Sequence, residues 1–435
     1  MTVSRFTVQA TWAAVFFLCS ITGSQAAAAD DEARMRALER QLEAISAELK
    51  ELRQVKTDVA AIEARTADLD QMPKFDPHQL KITAADGSWS AQLGGKLQLD
   101  ATVIDGDVTP TGNGAEIRRA RLFAAGTIEQ NFGYMLEVEF ETDDTIKFKS
   151  NYIYYKGLKP IKLKVGHFKE PFSMEELTND QQTTFLENSL SNVLTPSYNL
   201  GVEASAASHH YGGAVGFFTD GVTNGGTTTT DWAITGRTYA APIAEATKVV
   251  HVGIGATYRK NEDAGTITFQ QRPEVHNAPK LLSTGALAGV DSEYRIAPEI
   301  ALVYGPFSLQ GEYLLSSLDR TMASSIDIDG HYVQASWFLT GESRAYDVHT
   351  GTFGRVDTHG GIEVAARYSN LSLDDPAIVY TKRGEETNFT VGLNYYYNPY
   401  VRLKLNYVNG QIDHPAGASP DEDINAGAAR FQVEF

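Results

Sequence analysis

From residue 88 onward four pairs of cations stand two residues apart: Arg119 and Arg121, Lys147 and Lys149, Lys162 and Lys164, and Arg402 and Lys404. In an extended segment successive side chains point to opposite faces, so each pair shares one face. The residue between is apolar or small: Ala120, Phe148, Leu163 and Leu403. Lys96 and Arg367 sit in similar alternating surroundings. Rows of guanidinium and ammonium groups along a wall attract small anions such as phosphate and replace part of their hydration. Glu137, Glu139 and Glu141 form an acidic row of the same spacing on a neighbouring segment. Opposite charges on adjacent strands also pair and hold a sheet in shape. An anion path and structural pairing therefore both fit these residues.

Other chemistry has little support. The sequence contains no Gly-x-Ser-x-Gly elbow, no two-histidine zinc motif and no glycine-rich phosphate loop. Ten histidines are scattered, and His209-His210 falls in an expected tight turn. No catalytic, metal or cofactor site is expected. The single cysteine, Cys19, lies in a stretch that reads as a secretory leader over residues 1–26, with Arg5, the apolar run 13–18 and Ser24-Gln25-Ala26 as a small-x-small cleavage site. The formal charge of −18 argues against a nucleic-acid partner.

The elements that position the cations follow from the period. From residue 88 onward apolar and polar residues alternate, as in Trp89, Ala91, Leu93, Leu97, Leu99, Ala101 and Val103 against Ser90, Gln92, Lys96, Gln98, Asp100 and Thr102. Sixteen such stretches begin near 89, 117, 132, 146, 160, 200, 210, 231, 248, 292, 306, 330, 360, 385, 399 and 424, a count good to about two. Short and long connections alternate between them, which is expected of a bacterial transmembrane barrel, with long loops outside and tight turns in the periplasm. Two connections break the rule: Thr142–Thr145 is short on the long side, and Gly341–His359 is long on the short side. The stretch 169–199 is the longest connection in the first half. It either folds inward as a constriction or stays on the surface, and Ser173 with Glu176 fits a capping box that would start a short helix. Aromatics cluster at strand ends (Tyr152, Tyr154, Tyr155; Phe217, Phe218; Tyr395 to Tyr397 with Tyr400), either as interfacial girdles facing outer-membrane lipid or through ordinary strand preference.

The fold expected is an all-β, 16-stranded antiparallel transmembrane β-barrel over residues 88–435, preceded by a helix over 30–70 and a linker over 71–87. Met35, Leu38, Leu42, Ile45, Leu49, Leu52 and Val59 step by three and four, with Lys56 breaking the seam, a coiled-coil register. A lone amphipathic helix or a flexible charged segment is the alternative. The last five residues alternate again, placing Phe431, Val433 and Phe435 toward lipid and Gln432 and Glu434 toward the lumen. A terminal Phe435 on such a strand is the kind of signal that barrel assembly machinery reads.

Three stretches resemble the phosphate-selective porin O and P family: Glu116-Ile117-Arg118-Arg119-Ala120-Arg121-Leu122; 164–177, continuing to Asn199-Leu200-Gly201-Val202; and 334–342, followed by 365–369, 388–394 and 430–435. The matched regions, 116–203 and 330–435, cover a little under half of the chain. Residues 204–329 carry no recognised motif. The resemblance implies a homotrimeric outer-membrane channel with a constricting third loop and a basic lumen that passes anions. Arg119 and Arg121 fall on the family's motif, and a full basic ladder does not. General or cation-preferring diffusion, or an envelope tether with a cell-wall-directed helix, are the alternatives.

Overall fold

The computed structural model describes residues 26–70, 72–77, 79–140, 145–219 and 231–435. The expected leader, residues 1–26, lies outside the described residues except for its last position. The chain forms two units, 1–72 and 73–435.

The first unit is helix α1, Ala26–Asp70. Its run without Gly or Pro lets 45 residues stay helical, since each interior Gly would cost about 1 kcal/mol and each Pro about 3.

The second unit is a closed sheet. Its strands are β1 (Ser90–Gly106), β2 (Gly114–Ile128), β3 (Phe132–Phe140), β4 (Ile146–Leu158), β5 (Ile161–Lys169) and β6 (Tyr198–Ala207). There follow β7 (Tyr211–Thr219), β8 (Trp232–Glu245), β9 (Lys248–Ile267), β10 (Leu287–Tyr304) and β11 (Phe307–Arg320). The circuit ends with β12 (Ile326–Phe338), β13 (Gly361–Ser372), β14 (Glu385–Asn398), β15 (Val401–Asp413) and β16 (Glu422–Glu434). Each strand pairs antiparallel with the next, and β16 pairs with β1 from Ile424 opposite Gly106 to Glu434 opposite Lys96. Closure removes the unpaired edges that lipid would leave unsatisfied. The expected sixteen strands are all present. Before them, Lys74–Asp76 and Lys81–Thr83 form a hairpin that pairs with Ser90–Gln92, so the stretch expected as a linker partly extends the sheet.

The polarity of this barrel is inside out. Along β15, Leu403, Leu405 and Tyr407 are 40%, 41% and 50% exposed, while Arg402, Lys404 and Asn406 between them are 5%, 0% and 6% exposed. Burying a Leu-sized side chain is worth about 1.5–3 kcal/mol over leaving it in water, so an outer surface of this kind needs lipid. The closing strand keeps the pattern, with Phe431 and Phe435 outward and Gln432 and Glu434 buried inward. Alternation splits the expected girdles. Phe217 stacks on Trp232 outside, whereas Phe218 and Tyr396 turn inward and are buried.

The lumen is not uniformly polar. Toward the long-loop end the inner face becomes apolar: Ile104, Leu314, Leu318, Ile326, Ile328, Leu371, Val408, Ile412 and Ile424 are buried there. They form one cluster with Phe172, Leu190 and Leu194 of the 170–197 connection and Phe269, Val275, Leu281 and Leu282 of the 268–286 connection. Two long loops therefore fold into the barrel and share a core of soluble-protein type with its upper wall.

Candidate functional site

The 170–197 connection spans the lumen and is held by the strands around it. Ser173 caps helix α2 (Met174–Leu177), its hydroxyl accepting from the Glu176 N–H at 3.2 Å. The reciprocal half of the capping box is missing, because the Glu176 carboxylate goes instead to Lys169 at 3.2 Å and to the Ser197 hydroxyl at 2.8 Å. The Met174 and Glu175 N–H groups donate to Glu299 on β10 and Glu312 on β11. Further along, Lys404 Nζ donates to the Thr183 carbonyl at 2.7 Å and the Phe185 carbonyl at 3.2 Å, and Arg295 donates to the Leu194 carbonyl. Arg430 grips Asp100 through two bonds of 2.7 Å and reaches Glu187 at 2.6 Å.

Two carboxylates of this loop collect most of the charge. Asp180 pairs with Lys96, with Arg119 Nε at 3.0 Å and with Arg121 Nη1 at 3.4 Å. Glu187 pairs with Arg118 at 2.8 Å as well as with Arg430. Burial would push both carboxyls up, but the surrounding cations outweigh it and hold both well below the usual carboxylate range. Glu175 goes the other way: burial drives its carboxyl up to about 7 against the opposing pull of Arg367.

The nine singled-out cations fall into three groups. Arg119, Arg121 and Lys149 line a cavity of about 380 Å³ above the loop, together with Arg118 and Lys169. Lys162 and Lys164 line a second cavity of about 400 Å³ toward the short-turn end, and Lys96 with Arg121 a third of about 250 Å³. Arg402 and Lys404 face inward as their parity requires, but they are sealed beneath the loop and spend their hydrogen bonds on its carbonyls. Lys147 is exposed near the outer end of β4, opposite Glu139 in register. Acidic partners accompany at least five of the nine: Lys96 and Arg119 meet Asp180, Arg121 meets Glu139 at 2.7 Å, Lys149 meets Glu139 at 2.7 Å, and Lys164 meets Glu203 at 2.9 Å. Carboxylate pairing and exposure to a cavity therefore coexist in this group.

Strict alternation missed Arg118. A bulge between β1 and β2 sets Gln98 opposite Arg119 but Leu99 opposite Ile117, so Arg118 is the extra residue and turns inward beside Arg119. The doubled arginine was the available signal. Asp180 and Glu187 were also missed, since period-two reasoning does not reach loop residues.

The long connection on the short-turn side, residues 339–360, is real. It carries a small hairpin (Tyr346–Asp347 with Thr352–Phe353) that enters the barrel from below. Arg237 donates to the Thr350 and Gly351 carbonyls, Tyr239 donates to the Val348 carbonyl at 2.8 Å, and Arg344 reaches Thr184 and the Gln182 carbonyl on the inward loop. Gly351 sits at φ +63° with its Cα close against the Tyr239 ring, where a Cβ would lie 2.8 Å from ring carbon. Only glycine fits that turn without a shift.

The upper cavity brings seven basic side chains against four carboxylates, the second four against one, and the third three against two. Arg121 borders both the upper and third cavities, and Lys169 both the upper and second. A closed barrel with an apolar exterior and a charged, loop-narrowed lumen is a membrane diffusion channel of the porin class. The chain belongs to the family described as "Phosphate-selective porin O and P", whose pattern matches residues 91–435, nearly the whole barrel. It is thereby a protein of the bacterial outer membrane, and both family and fold are those of a channel rather than an enzyme. Porin O of Pseudomonas aeruginosa is 28% identical over 402 residues, covering 82% of this chain and 91% of that protein. A Caulobacter vibrioides protein without an assigned function is 28% identical over 389 residues, 82% of this chain and 76% of that one. Among solved structures, an anion-selective porin from Comamonas acidovorans superposes with a TM-score of 0.57 at 13% identity, covering 80% of this chain and all of the other. The outer-membrane channel DcaP of Acinetobacter baumannii gives 0.53 at 13% identity, covering 80% and 98%.

Proposed function

We propose that this porin passes small anions, phosphate among them, down the wall built from β1 to β6. The observation that carries this is the basic excess in all three lumen cavities of a chain whose formal charge is −18. Arg118, Arg119, Arg121 and Lys149 attract the anion above the inward loop, and Lys162 and Lys164 receive it below. Fixed cations spaced along the route keep it bound strongly enough to enter and weakly enough to leave. Phosphate is supported by the family description and by the clustered arginines, which suit oxyanions through forked hydrogen bonds. Arg402 and Lys404 act in this reading as anchors of the loop, and Lys147 contributes only to the outer field.

The remaining parts fit the same reading. Residues 1–26 are a cleaved leader, the helix lies in the periplasm, Phe435 engages the assembly machinery, and three barrels associate. Reversal potentials in planar bilayers under a salt gradient test the anion path. Chloride is expected to carry more current than potassium, and added phosphate to reduce the chloride current. Changing Lys162 and Lys164 together to Glu should lower the anion-to-cation permeability ratio severalfold. A cation-preferring wild type indifferent to phosphate would sink the proposal.

A further inference from the structure

Helix α1 exposes a continuous apolar stripe. Met35, Leu38, Leu42, Ile45, Leu49 and Leu52 are each at least half exposed. Their steps of three and four put Met35, Leu42 and Leu49 at one core position of a heptad and Leu38, Ile45 and Leu52 at the other. In the middle of the stripe, Leu42 occupies the first core position and Ile45 the second. Leu followed by Ile in this order favours three or four strands, whereas the dimer preference is for a β-branched residue first and Leu second.

The residues flanking the seam point to the same occupant. In a parallel, in-register bundle, the residue just before a first core position faces the neighbour's residue five further along. That rule sets Arg34 against Glu39, Gln41 against Ser46, and Glu48 against Arg53. Two pairs are opposite in sign, one is neutral, and none is like-charged. Such flanking charges set partner and orientation in coiled coils. The next apolar step, Leu52 to Val55, is three where the heptad asks for four, and Val55, Val59 and Ile62 continue in the shifted register. An interruption of this kind overwinds a coil locally and closes the first segment at Leu52.

We propose that α1 is an assembly segment whose occupant is the same segment of two further copies, as a parallel three-stranded coiled coil over residues 34–53. Its copy number rests on the trimeric reading above; its parallel alignment does not. The test uses the full chain in outer-membrane vesicles, with Leu38→Cys and Leu52→Cys made singly and Arg40→Cys as an outward-facing control. Mild oxidation should give disulfide-linked dimers for both core variants and none for the control. An antiparallel pair brings like positions together at one centre only, so linkage at just one of the two core positions would overturn the parallel form. Absence of linkage at both, with channel conductance intact, would overturn the coiled coil itself. Light scattering of the detergent-extracted protein should give three copies, and two copies would overturn the three-stranded form. Glu39→Lys should weaken linkage at Leu38→Cys by severalfold, and adding Arg34→Glu should restore it. Linkage without anion conductance would leave the coil standing and remove the channel reading instead.

Discussion

Arg121 and Lys404 are both inward-facing cations on the same barrel wall, and their circumstances are opposite. Arg121 borders two open cavities and shares Glu139 and Asp180 with other cations. Lys404 is fully buried, and its ammonium is spent on two loop carbonyls. The same contrast holds between the two sides of the lumen. On β2, β4 and β5 the inward cations border the upper cavity; from β10 to β16 much of the inner wall is covered by the inward loops and their apolar core. A strand's parity decides whether a side chain enters the lumen, and the loops decide whether it meets the solute.

The comparison is broken most severely on the covered side. Arg430→Ala leaves Asp100 and Glu187 buried with fewer partners, and losing one member of such a pair costs about 3–5 kcal/mol. Unfolding of the detergent-solubilised barrel by heat or urea should show that loss, with noisier conductance as the loop loosens. A change near the ~1 kcal/mol typical of an exposed pair would mean that the loop does not depend on this anchor.

On the open side the expected effect is on binding. Asp180→Asn removes the carboxylate that three cations share, so the phosphate concentration that halves the chloride current should fall about tenfold, equivalent to ~1.4 kcal/mol. In the unaltered protein Asp180 is held ionised well below the ordinary aspartate range. Its contribution to holding the loop is therefore in place above that range and fades only as the pH drops through the depressed value. The difference in phosphate block between the unaltered protein and Asp180→Asn should be the same at pH 7 and pH 5, and an unchanged block in Asp180→Asn would show that this carboxylate does not compete with the solute. The smallest effect belongs to Ser173→Ala, which removes the cap of α2 and should lower stability by about 1 kcal/mol while leaving selectivity alone. A shift in reversal potential there would show that the cap also shapes the open side.

The fold was largely legible because a period of two is written residue by residue. The strand number to within about two and the lipid-facing side of β16 follow from alternation together with the lengths of the connections. The candidate site was legible only in part. Lys162 and Lys164 were placed by parity alone, but Arg118 depended on a bulge, a backbone event that leaves the residue spacing unchanged. Val408 and Ile412 share the parity of Lys404 and also point inward, where an apolar side chain makes sense only because Leu190, Leu194 and Leu282 come to meet it. Such meetings join residues far apart in the chain, and no local pattern encodes them.

The core shared by the inward loops and the upper wall has a consequence for what the pore can exclude. Side chains packed at the density of a protein interior yield little to pressure from a passing molecule. With Phe172, Leu190 and Leu194 locked against the strands, the bore is fixed when the chain folds and is not renegotiated with each arriving solute. The protein should behave as a sieve of one mesh, with a sharp exclusion limit for anions of rising size.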